Sequence, residues 1–506
     1  MSGLEIGSAV VIVALSLACL PRWWMVAQKE HYGPGRVTAI HRLWAASRPV
    51  QWVAGAAAVV LGLAGLFLPP LGAVSALLWL SLPLGLPLWQ RGAVVFTPRL
   101  RRLAAVNVAL VVAVAAVLWL LSTDSLMVVG LLPLVIAPLT DVALAIAKPI
   151  EDRLARRWQV QAANTIRRVN PRIVAITGSY GKTSTKNFAN HLIQGRWSTL
   201  ASPASFNNAM GLSRAVNDRL EPGTDVFIAE MGTYGPGEIT ALTTVFPPEI
   251  SAITTIGEAH LERMKDKATI ARAKSEILPP ARTVVLSIDD PELRDLVTAY
   301  TTGEYAGTKR VITVSAQDPS ADISLLEGSL TIEGETHPVA GDWSHPINVA
   351  VAVGLARALD VPTQTIVARL PGIPGTPHRA EANRTAEGVW VIDDTFNSNP
   401  TGAAAALRKA VGLAGETGTV WTITPGMVEL GHEQASRNED FARAATASER
   451  MRLAVVGWTN RRALTKGEPD RTLTFGSRTE AQRHVLAQVR PADVVLYEND
   501  LPSHYP

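Results

Sequence analysis

The stretch "AITGSYGKTSTKNF", residues 175–188, decides the fold of most of this 506-residue chain. An apolar run, Ile173–Ile176, breaks into Gly-Ser-Tyr-Gly, and a helical pattern then begins with Lys182 and Thr183. A strand, a glycine turn and a helix that starts with Lys-Thr are the context in which a loop binds the phosphates of a nucleotide. We therefore predict a nucleotide site here, and a chance glycine turn is the alternative.

Each residue type in this loop has a chemical reason to be there. Glycines allow backbone N–H groups to face the phosphates, and the N-terminus of the helix adds a favourable dipole. The lysine can reach the β- and γ-phosphates, and the threonine hydroxyl can ligate Mg²⁺. The spacing is shorter than the common GxxxxGK[ST] form. The predicted nucleotide-binding residues of the loop are Gly178, Ser179, Gly181, Lys182, Thr183 and Ser184.

The first 150 residues hold most of the excess apolar residues in a chain that is 47% hydrophobic. They contain five apolar runs, each close to the ~20 residues that a helix needs to cross a bilayer. The runs are 4–21, 51–69, 71–89, 103–121 and 125–147. We therefore predict a transmembrane region of about five helices. The net charge of +3 is small for this length and does not favour a nucleic-acid partner.

The charges between the runs predict the orientation in the membrane. The cation-rich segments are 22–48, 91–102 and 148–157, and the segments without cations are 68–72 and 122–125. Since cytoplasmic loops collect Lys and Arg, we expect the N-terminus outside and the catalytic part in the cytoplasm, at the inner membrane. The single cysteine, Cys19, excludes an internal disulfide framework and fits a reducing compartment.

Two features of this region leave alternatives open. The first run could be a cleaved signal peptide, but Glu5 precedes its apolar stretch and no basic n-region is present. Asp141 lies in the fifth run, where a carboxylate is either functional or placed at the membrane interface. The second interpretation is favoured if the span ends near Pro138.

After residue 150, strand-like runs alternate with helical patterns, which favours parallel sheets covered by helices. The strand-like runs are 173–176, 226–229, 251–255, 283–287, 389–394, 419–425, 453–458 and 493–500. A Pro/Gly-rich connector, 371–379, separates two series, and 308–340 suggests a small β-rich insert. The predicted fold is an all-α transmembrane region (1–150), followed by a P-loop central α/β domain with a parallel sheet (151–376) and a Rossmann-like C-terminal α/β domain (377–506).

Several motifs, in this order, resemble those of the Mur ligase family, whose members are ATP-dependent amide ligases. "TGSYGKTST" has the family's short phosphate-loop form, and "AEMG", "GEAHLERM" and "ARAKSEI" follow it. The resemblance implies metal ligands at Thr183, Glu230, His260 and Lys274, with Lys274 carbamylated. It implies catalytic roles for Lys182, His260 and Lys274, and two Mg²⁺ ions beside ATP.

Other motifs of the same family imply the remaining contacts. "SPASFNNAMGLS" is similar to the substrate-side loop, which implies that Asn207 and Asn208 bind substrate. Asn348 matches a position associated with adenine. The motif after "VWVIDD" implies nucleotide contacts at Asp394, Asn397 and Asn399. "GMVELGHE", 426–433, is most similar to the branch that joins D-alanyl-D-alanine to the UDP-muramoyl tripeptide.

The resemblance covers about residues 170–506, and membrane spans take the place of the family's N-terminal UDP-sugar domain. We therefore expect a membrane-anchored ligase that forms an amide through an acyl phosphate, in peptidoglycan or other envelope precursor synthesis. Its partners would be a small-molecule or lipid-linked carboxylate, an amino acid or dipeptide amine, and membrane lipid. A poly-γ-glutamate-type synthetase and an ATP-driven transporter are the alternatives, and the sequence does not predict an oligomeric state.

Overall fold

The fold is that of a computed structural model, and it combines an N-terminal group of helices with two sheets. The described residues are 3–47, 94–121, 132–203, 206–341, 345–374, 381–396, 398–501 and 504–506, with scattered helical positions between 53 and 74.

Four helices of the N-terminal region are described along their length. They are α1 (Gly3–Lys29), α2 (Arg36–Ser47), α3 (Pro98–Leu121) and α4 (Leu132–Val169). Within the described residues, one helix, Pro98–Leu120, is long and apolar enough to cross a membrane, by length and composition alone. The predicted runs 51–69 and 71–89 lie largely outside the described residues, so a region of about five spans stays a prediction.

Asp141 has a structural role in this region. Its carboxylate accepts hydrogen bonds from the backbone N–H groups of Gly35, Val37 and Thr38, at 2.8, 3.3 and 2.8 Å. These groups form the first turn of α2, whose N–H groups have no partners within the helix. A carboxylate at that end also meets the positive end of the helix dipole. Asp141 therefore fixes α2 against α4.

Helix α4 joins the N-terminal region to the rest of the chain without a break. The charged segment predicted as a separate helix, 151–170, forms the C-terminal half of α4. This half packs against α6 (Ala209–Arg219), and Asn217 Nδ2 donates to the carbonyl oxygen of Trp158 at 3.1 Å. The N-terminal helices are thus held in a fixed place beside the central sheet.

The central sheet has nine strands in the order β2-β3-β1-β4-β5-β6-β7-β8-β9. The strands are β1 (Arg172–Thr177), β2 (Thr199–Ala201), β3 (Val226–Glu230), β4 (Ile250–Ile253), β5 (Thr283–Ser287), β6 (Arg310–Ser315), β7 (Ile323–Leu326), β8 (Ser329–Ile332) and β9 (Glu335–Pro338). Pairing is parallel from β2 to β7 and antiparallel in β7-β8-β9. The region expected as a β-rich insert, 308–340, therefore extends the central sheet.

Both faces of the central sheet are covered, which explains its apolar strands. Val174 and Ile176 pack on one face with Leu192, whereas Ile173 and Phe227 pack on the other face. Besides α4 and α6, the covering helices are α5 (Lys182–Ile193), α7 (Glu238–Val245), α8 (Leu261–Met264), α9 (Lys267–Ser275), α10 (Pro291–Thr301), α11 (Pro346–Ala358) and α12 (Thr363–Arg369).

The second sheet has six strands in the order β10-β11-β15-β12-β13-β14. They are β10 (Glu381–Arg384), β11 (Trp390–Asp394), β12 (Val420–Thr424), β13 (Met451–Val456), β14 (Thr472–Phe475) and β15 (Val494–Glu498). Only β10 is antiparallel to its neighbour. The helices are α13 (Pro400–Ala414), α14 (Gln434–Ala444), α15 (Arg461–Leu464) and α16 (Arg478–Leu486). The two predicted α/β series are confirmed as parallel sheets, and the exact domain boundaries stay predictions.

Candidate active site

The predicted phosphate loop lies between β1 and α5, at the carboxyl end of β1, an interior strand of the central sheet. Gly178 has φ +150°, and a Cβ atom there would lie 1.9 Å from Thr254 Oγ1. Gly181 has φ +79°, and a Cβ atom there would lie 2.1 Å from Asn348 Oδ1. Both positions therefore require glycine for conformation and for space. Asn348, on α11, directly adjoins the loop.

Ser179 and Ser184 have different surroundings in this loop. Ser179 Oγ accepts a hydrogen bond from the backbone N–H of Gly257 at 2.8 Å, which ties the loop to the segment after β4. Ser184 is buried in the first turn of α5. Ser179 therefore connects the phosphate loop with the chain that leads to His260.

Thr183 and Glu230 meet, as their proposed metal role requires. Thr183 Oγ1 lies 3.1 and 3.0 Å from the two carboxylate oxygens of Glu230, which ends β3. Lys186 Nζ lies 3.1 Å from the same carboxylate, and both of these side chains are buried. A hydroxyl beside a carboxylate is an oxygen donor pair of the kind that Mg²⁺ prefers. Lys186 was not predicted, because nothing in the loop pattern shows which way the fifth residue of α5 faces.

Two lysine amines converge on one backbone oxygen of the phosphate loop. Lys182 Nζ donates to the Gly178 carbonyl oxygen at 2.7 Å, and Lys274 Nζ donates to the same atom at 3.0 Å. Lys274 is 1% exposed. Its burial, and then the charge of Lys182, hold the pKa of the Lys274 amine well below its usual range. Burial of this kind favours the neutral form of a lysine amine, which is the nucleophilic form.

His260 is held by a carboxylate from the second sheet. His260 Nδ1 lies 2.7 Å from Glu429 Oε2. Burial lowers the pKa of the His260 imidazole in spite of this partner. Burial would raise the pKa of Glu429, but the hydrogen bond from His260 holds it below the usual range. The pair is therefore a neutral imidazole that donates from Nδ1 to an ionised carboxylate, which leaves Nε2 free to ligate a metal.

The backbone around this pair is unusual. His260 has φ +61° and Glu429 has φ +65°, and neither residue is glycine. The N–H of Glu262 donates to the carbonyl oxygen of Glu429 at 3.1 Å. Left-handed conformations of non-glycine residues are costly and cluster at functional sites. Glu429 was missed as a site residue, although it lies within the quoted motif 426–433.

Further contacts dock the second sheet onto the central one beside this pair. The guanidinium of Arg437, on α14, makes two hydrogen bonds with the carboxylate of Glu258, at 3.0 and 2.5 Å. A two-pronged arginine–carboxylate contact fixes orientation as well as distance. The described conformation therefore brings the two sheets together over the site.

The N-terminal region also reaches the site. The ring of Tyr234 packs edge-on against His260, with centroids 4.7 Å apart, and in a tilted arrangement against His31, with centroids 5.8 Å apart. Arg263 lies over the same tyrosine ring at 4.3 Å. Arg36, at the start of α2, pairs with Glu262 at 2.6 Å. None of these contacts could be predicted from the sequence, because they join segments that are far apart in the chain.

The remaining predicted residues lie in two further places. Asn208 caps α6, since its Oδ1 accepts from the N–H of Gly211 at 2.9 Å, and Asn207 lies against Gly232 after β3. Asn399 caps α13 in the same way, through Gly402 at 2.9 Å. Asp394 ends β11. Asn397 lies outside the described residues, and all of these binding roles stay predictions.

Glu498 is a further titratable group beside Asp394. It is fully buried at the end of β15, and its carboxylate accepts from Ser398 and Thr424. Burial raises the pKa of Glu498 to about 7. The sequence showed only a strand end at this position.

This raised pKa predicts how stability depends on pH. The unfolded carboxyl titrates near 4.5, so between that value and about 7 the folded protein holds one more proton. The free energy of unfolding therefore falls as pH rises through this window. Relative to Glu498→Gln, the wild type should lose about 3 kcal/mol between about pH 5 and about pH 8. Calorimetric melting of both proteins in one detergent measures this difference. Parallel melting temperatures across the range would contradict it, and exposed Glu416→Gln is the matched control.

Among the described side chains, no group of three or more His, Cys, Asp or Glu could hold a metal ion. The predicted donor set differs from such a group, because it includes the Thr183 hydroxyl and Lys274. The contact between Thr183 and Glu230 fits the first predicted Mg²⁺, and the free nitrogen of His260 fits the second.

The phosphate loop beside a parallel sheet and the converging lysines are typical of a phosphate-loop nucleotide-binding enzyme, and sequence comparison identifies its family. Residues 176–345 match the Mur ligase middle domain. Residues 378–497 match the domain described as "Mur ligase, glutamate ligase domain". Together the two matches span more than half of the chain. The chain belongs to the Mur ligase family and is an ATP-dependent ligase that forms an amide bond.

Individual relatives agree with this assignment. The chain is similar to the UDP-N-acetylmuramoyl-tripeptide–D-alanyl-D-alanine ligase of Mycobacterium leprae, with 29% identity over 371 residues, 64% of this chain and 70% of that protein. The Escherichia coli enzyme of the same name is 26% identical over 311 residues, 58% of this chain and 67% of that protein. The poly-γ-glutamate-type and transporter alternatives are not favoured by these comparisons.

Solved structures show the same fold. A crystal structure of MurF from Acinetobacter baumannii superposes with a TM-score of 0.59 at 23% identity, covering 68% of this chain and 77% of that one. MurF from Thermotoga maritima in complex with ADP superposes with a TM-score of 0.57 at 21% identity, covering 68% and 80%. The predicted α/β fold is therefore confirmed as Mur ligase-like.

Proposed function

We propose that this ligase joins an amino acid or dipeptide to a peptide carboxylate in peptidoglycan precursor synthesis, at the cytoplasmic face of the membrane. The observation that carries the proposal is the convergence of Lys182 and Lys274 on Gly178, beside the Thr183–Glu230 pair. The names of the relatives support D-alanyl-D-alanine as the amine and a muramoyl tripeptide as the carboxylate.

The reaction has two steps. A substrate carboxylate oxygen attacks the γ-phosphorus of ATP, and the bond to the bridging oxygen breaks with release of ADP. The amine nitrogen then attacks the acyl carbon, the C–O bond to phosphate breaks, and the amine loses a proton to give an amide. An amine cannot react directly with a carboxylate, because the leaving group would be oxide. Phosphorylation of the carboxylate replaces oxide with phosphate, which is a good leaving group.

Some side chains would neutralise the charge of the phosphates, and others would bind the metal ions and the substrates. The Lys182 ammonium would offset the charge of the β- and γ-phosphates as the carboxylate approaches them. Thr183 and Glu230 would hold one Mg²⁺, and His260 with carbamylated Lys274 would hold a second. Bound Mg²⁺ supplies further neutralisation of the phosphate oxygens. Asn348, Asp394, Asn397 and Asn399 would contact the nucleotide, and Asn207 and Asn208 the carboxylate substrate.

The N-terminal helices would anchor the ligase to the inner membrane. Helix α3 supports this, since only 17% of its most apolar stretch is buried within the protein. A membrane anchor favours a carboxylate substrate that is itself lipid-linked. The proposal predicts that the full chain stays in the membrane fraction after alkaline carbonate washing, and release into the wash would contradict the anchor.

Phosphate release by the detergent-purified full chain with Mg-ATP tests the activity. The carboxylates to compare are UDP-muramoyl tripeptide, its lipid-linked equivalent and glutamate, each with and without D-alanyl-D-alanine. We expect release only when carboxylate and amine are both present, with a product whose mass is their sum less water. ATP hydrolysis that is independent of every pair would contradict the proposed function.

A further inference from the structure

A cavity of about 720 Å³ lies between the N-terminal region and the second sheet. One wall is the face of α2 that carries Arg36, Ala39, Ile40 and Leu43, and the opposite wall comes from α14, α15 and the segment around Glu429. Tyr505 also lines it. The volume is in the range of pockets that bind small molecules.

The cavity opens onto the candidate active site. Glu429 lines it and also holds His260, at 2.7 Å. Glu262 lines it as well and pairs with Arg36 across the junction of α2 and α8. A ligand in the cavity would therefore have one end beside the residues assigned to the second metal.

The charges of the lining suit a ligand with both signs. The carboxylates of Glu262 and Glu429 are at the end near His260, and a third lining carboxylate, Glu439 on α14, pairs with Arg443 at 3.6 Å. Arg462 and Lys466 belong to the α15 side, and among the described residues neither has a carboxylate within salt-bridge distance. Between these charges, α2 presents an aliphatic surface. The complementary ligand is a zwitterion with an aliphatic body.

We propose that this cavity is the amine-substrate pocket, and that α2 of the N-terminal region is the wall that selects the amine's side chains. The inference rests on the proposed function and specifies its amine as an aliphatic amino acid or short peptide. The carboxylate of the amine substrate binds Arg462 and Lys466. Its body lies on Ala39, Ile40 and Leu43, and its amino group faces Glu429. The N-terminal helices are then part of the specificity of the enzyme, in addition to any anchoring.

Steady-state kinetics of the full chain with D-alanyl-D-alanine and its C-terminal amide test both halves of the pocket. Arg462→Gln should raise KM for the free dipeptide about tenfold, because an ion pair to the ligand is lost. It should leave KM for the amide and for ATP unchanged. Ala39→Phe should raise KM for both forms about tenfold by filling the cavity.

Matched controls separate the pocket from general damage. Arg483→Gln on α16 and Ala45→Phe on the exposed side of α2 lie outside the cavity and should keep wild-type constants. If amide formation still needs an amine but both cavity variants keep the wild-type KM for it, the pocket assignment is wrong and the proposed function stands. An equal rise in KM for free and amidated dipeptide in Arg462→Gln would overturn the carboxylate contact. ATP use that needs no amine would overturn the proposed function itself.

Discussion

Lys182→Ala is expected to reduce ATP-dependent amide formation at least about a hundredfold, since the lost charge acts on the transferring phosphoryl group. Lys182 is the first residue of α5, where backbone N–H groups and the helix dipole already favour phosphate binding. Its Nζ lies on the loop itself, 2.7 Å from the Gly178 carbonyl oxygen. Phosphate release at saturating Mg-ATP, carboxylate and amine measures the effect.

Lys309→Ala is the matched control for this loss. Lys309 Nζ also donates to backbone carbonyl oxygens, of Pro279 at 2.8 Å and of Ala281 at 2.6 Å, but it lies away from the loop. This variant should keep its turnover, and both variants should partition into the membrane fraction like the wild type. Retained turnover in Lys182→Ala would show that the phosphate-loop role is wrong.

Much of the central fold could be predicted from short runs of sequence. The strand β1, the glycine turn and α5 follow from neighbouring residues, because burial on both faces demands a continuous apolar strand and phosphate demands glycine. The structure adds the reason that Gly181 is required, since Asn348 from a distant helix occupies the space of a side chain there. The order of the strands in the sheet is not contained in such local patterns.

The parts that sequence did not predict depend on contacts between distant segments. Glu429 reaches His260 across 169 positions, and Arg36 reaches Glu262 across 226. In one sequence, each of these residues is an ordinary charged residue in a loop or at a helix end. The predicted edge between membrane and cytoplasmic parts, near residue 150, falls inside α4, because a helical pattern continues when apolar residues give way to charged ones.

Asp141 illustrates the same limit. Its position in an apolar run left both a functional and an interfacial interpretation open. The structure pairs it with the N-terminus of α2, the helix that forms a wall of the proposed amine pocket. A buried or half-buried carboxylate needs partners, but the sequence does not show which backbone groups supply them.

Lys274→Ala is expected to reduce activity about a hundredfold or more, and acetate or propionate should restore part of it. The reason is the contact of two amines at Gly178, which would be repulsive if both were charged. Burial, and then the Lys182 charge, lower the pKa of the Lys274 amine and so favour its neutral form. A neutral amine can attack CO₂: the N–C bond forms, a proton leaves, and the product is an anion. The carbamate anion would attract the Lys182 ammonium, and its oxygen atoms would be available as ligands for Mg²⁺.

Lys186→Ala is the matched control, because Lys186, on α5, is also a buried lysine but is paired with Glu230 at 3.1 Å. Short carboxylic acids should not restore any activity lost in Lys186→Ala, because that substitution removes no carboxylate. A carbamate carbon signal in ¹³CO₂-equilibrated wild type should be absent from Lys274→Ala and present in Lys186→Ala. Full activity of Lys274→Ala, or equal rescue of both variants by acetate, would show that the carbamate role is wrong. If acetate restores activity to Lys274→Ala alone, the wild-type Lys274 side chain ends in a carboxylate, where the family's second metal would bind.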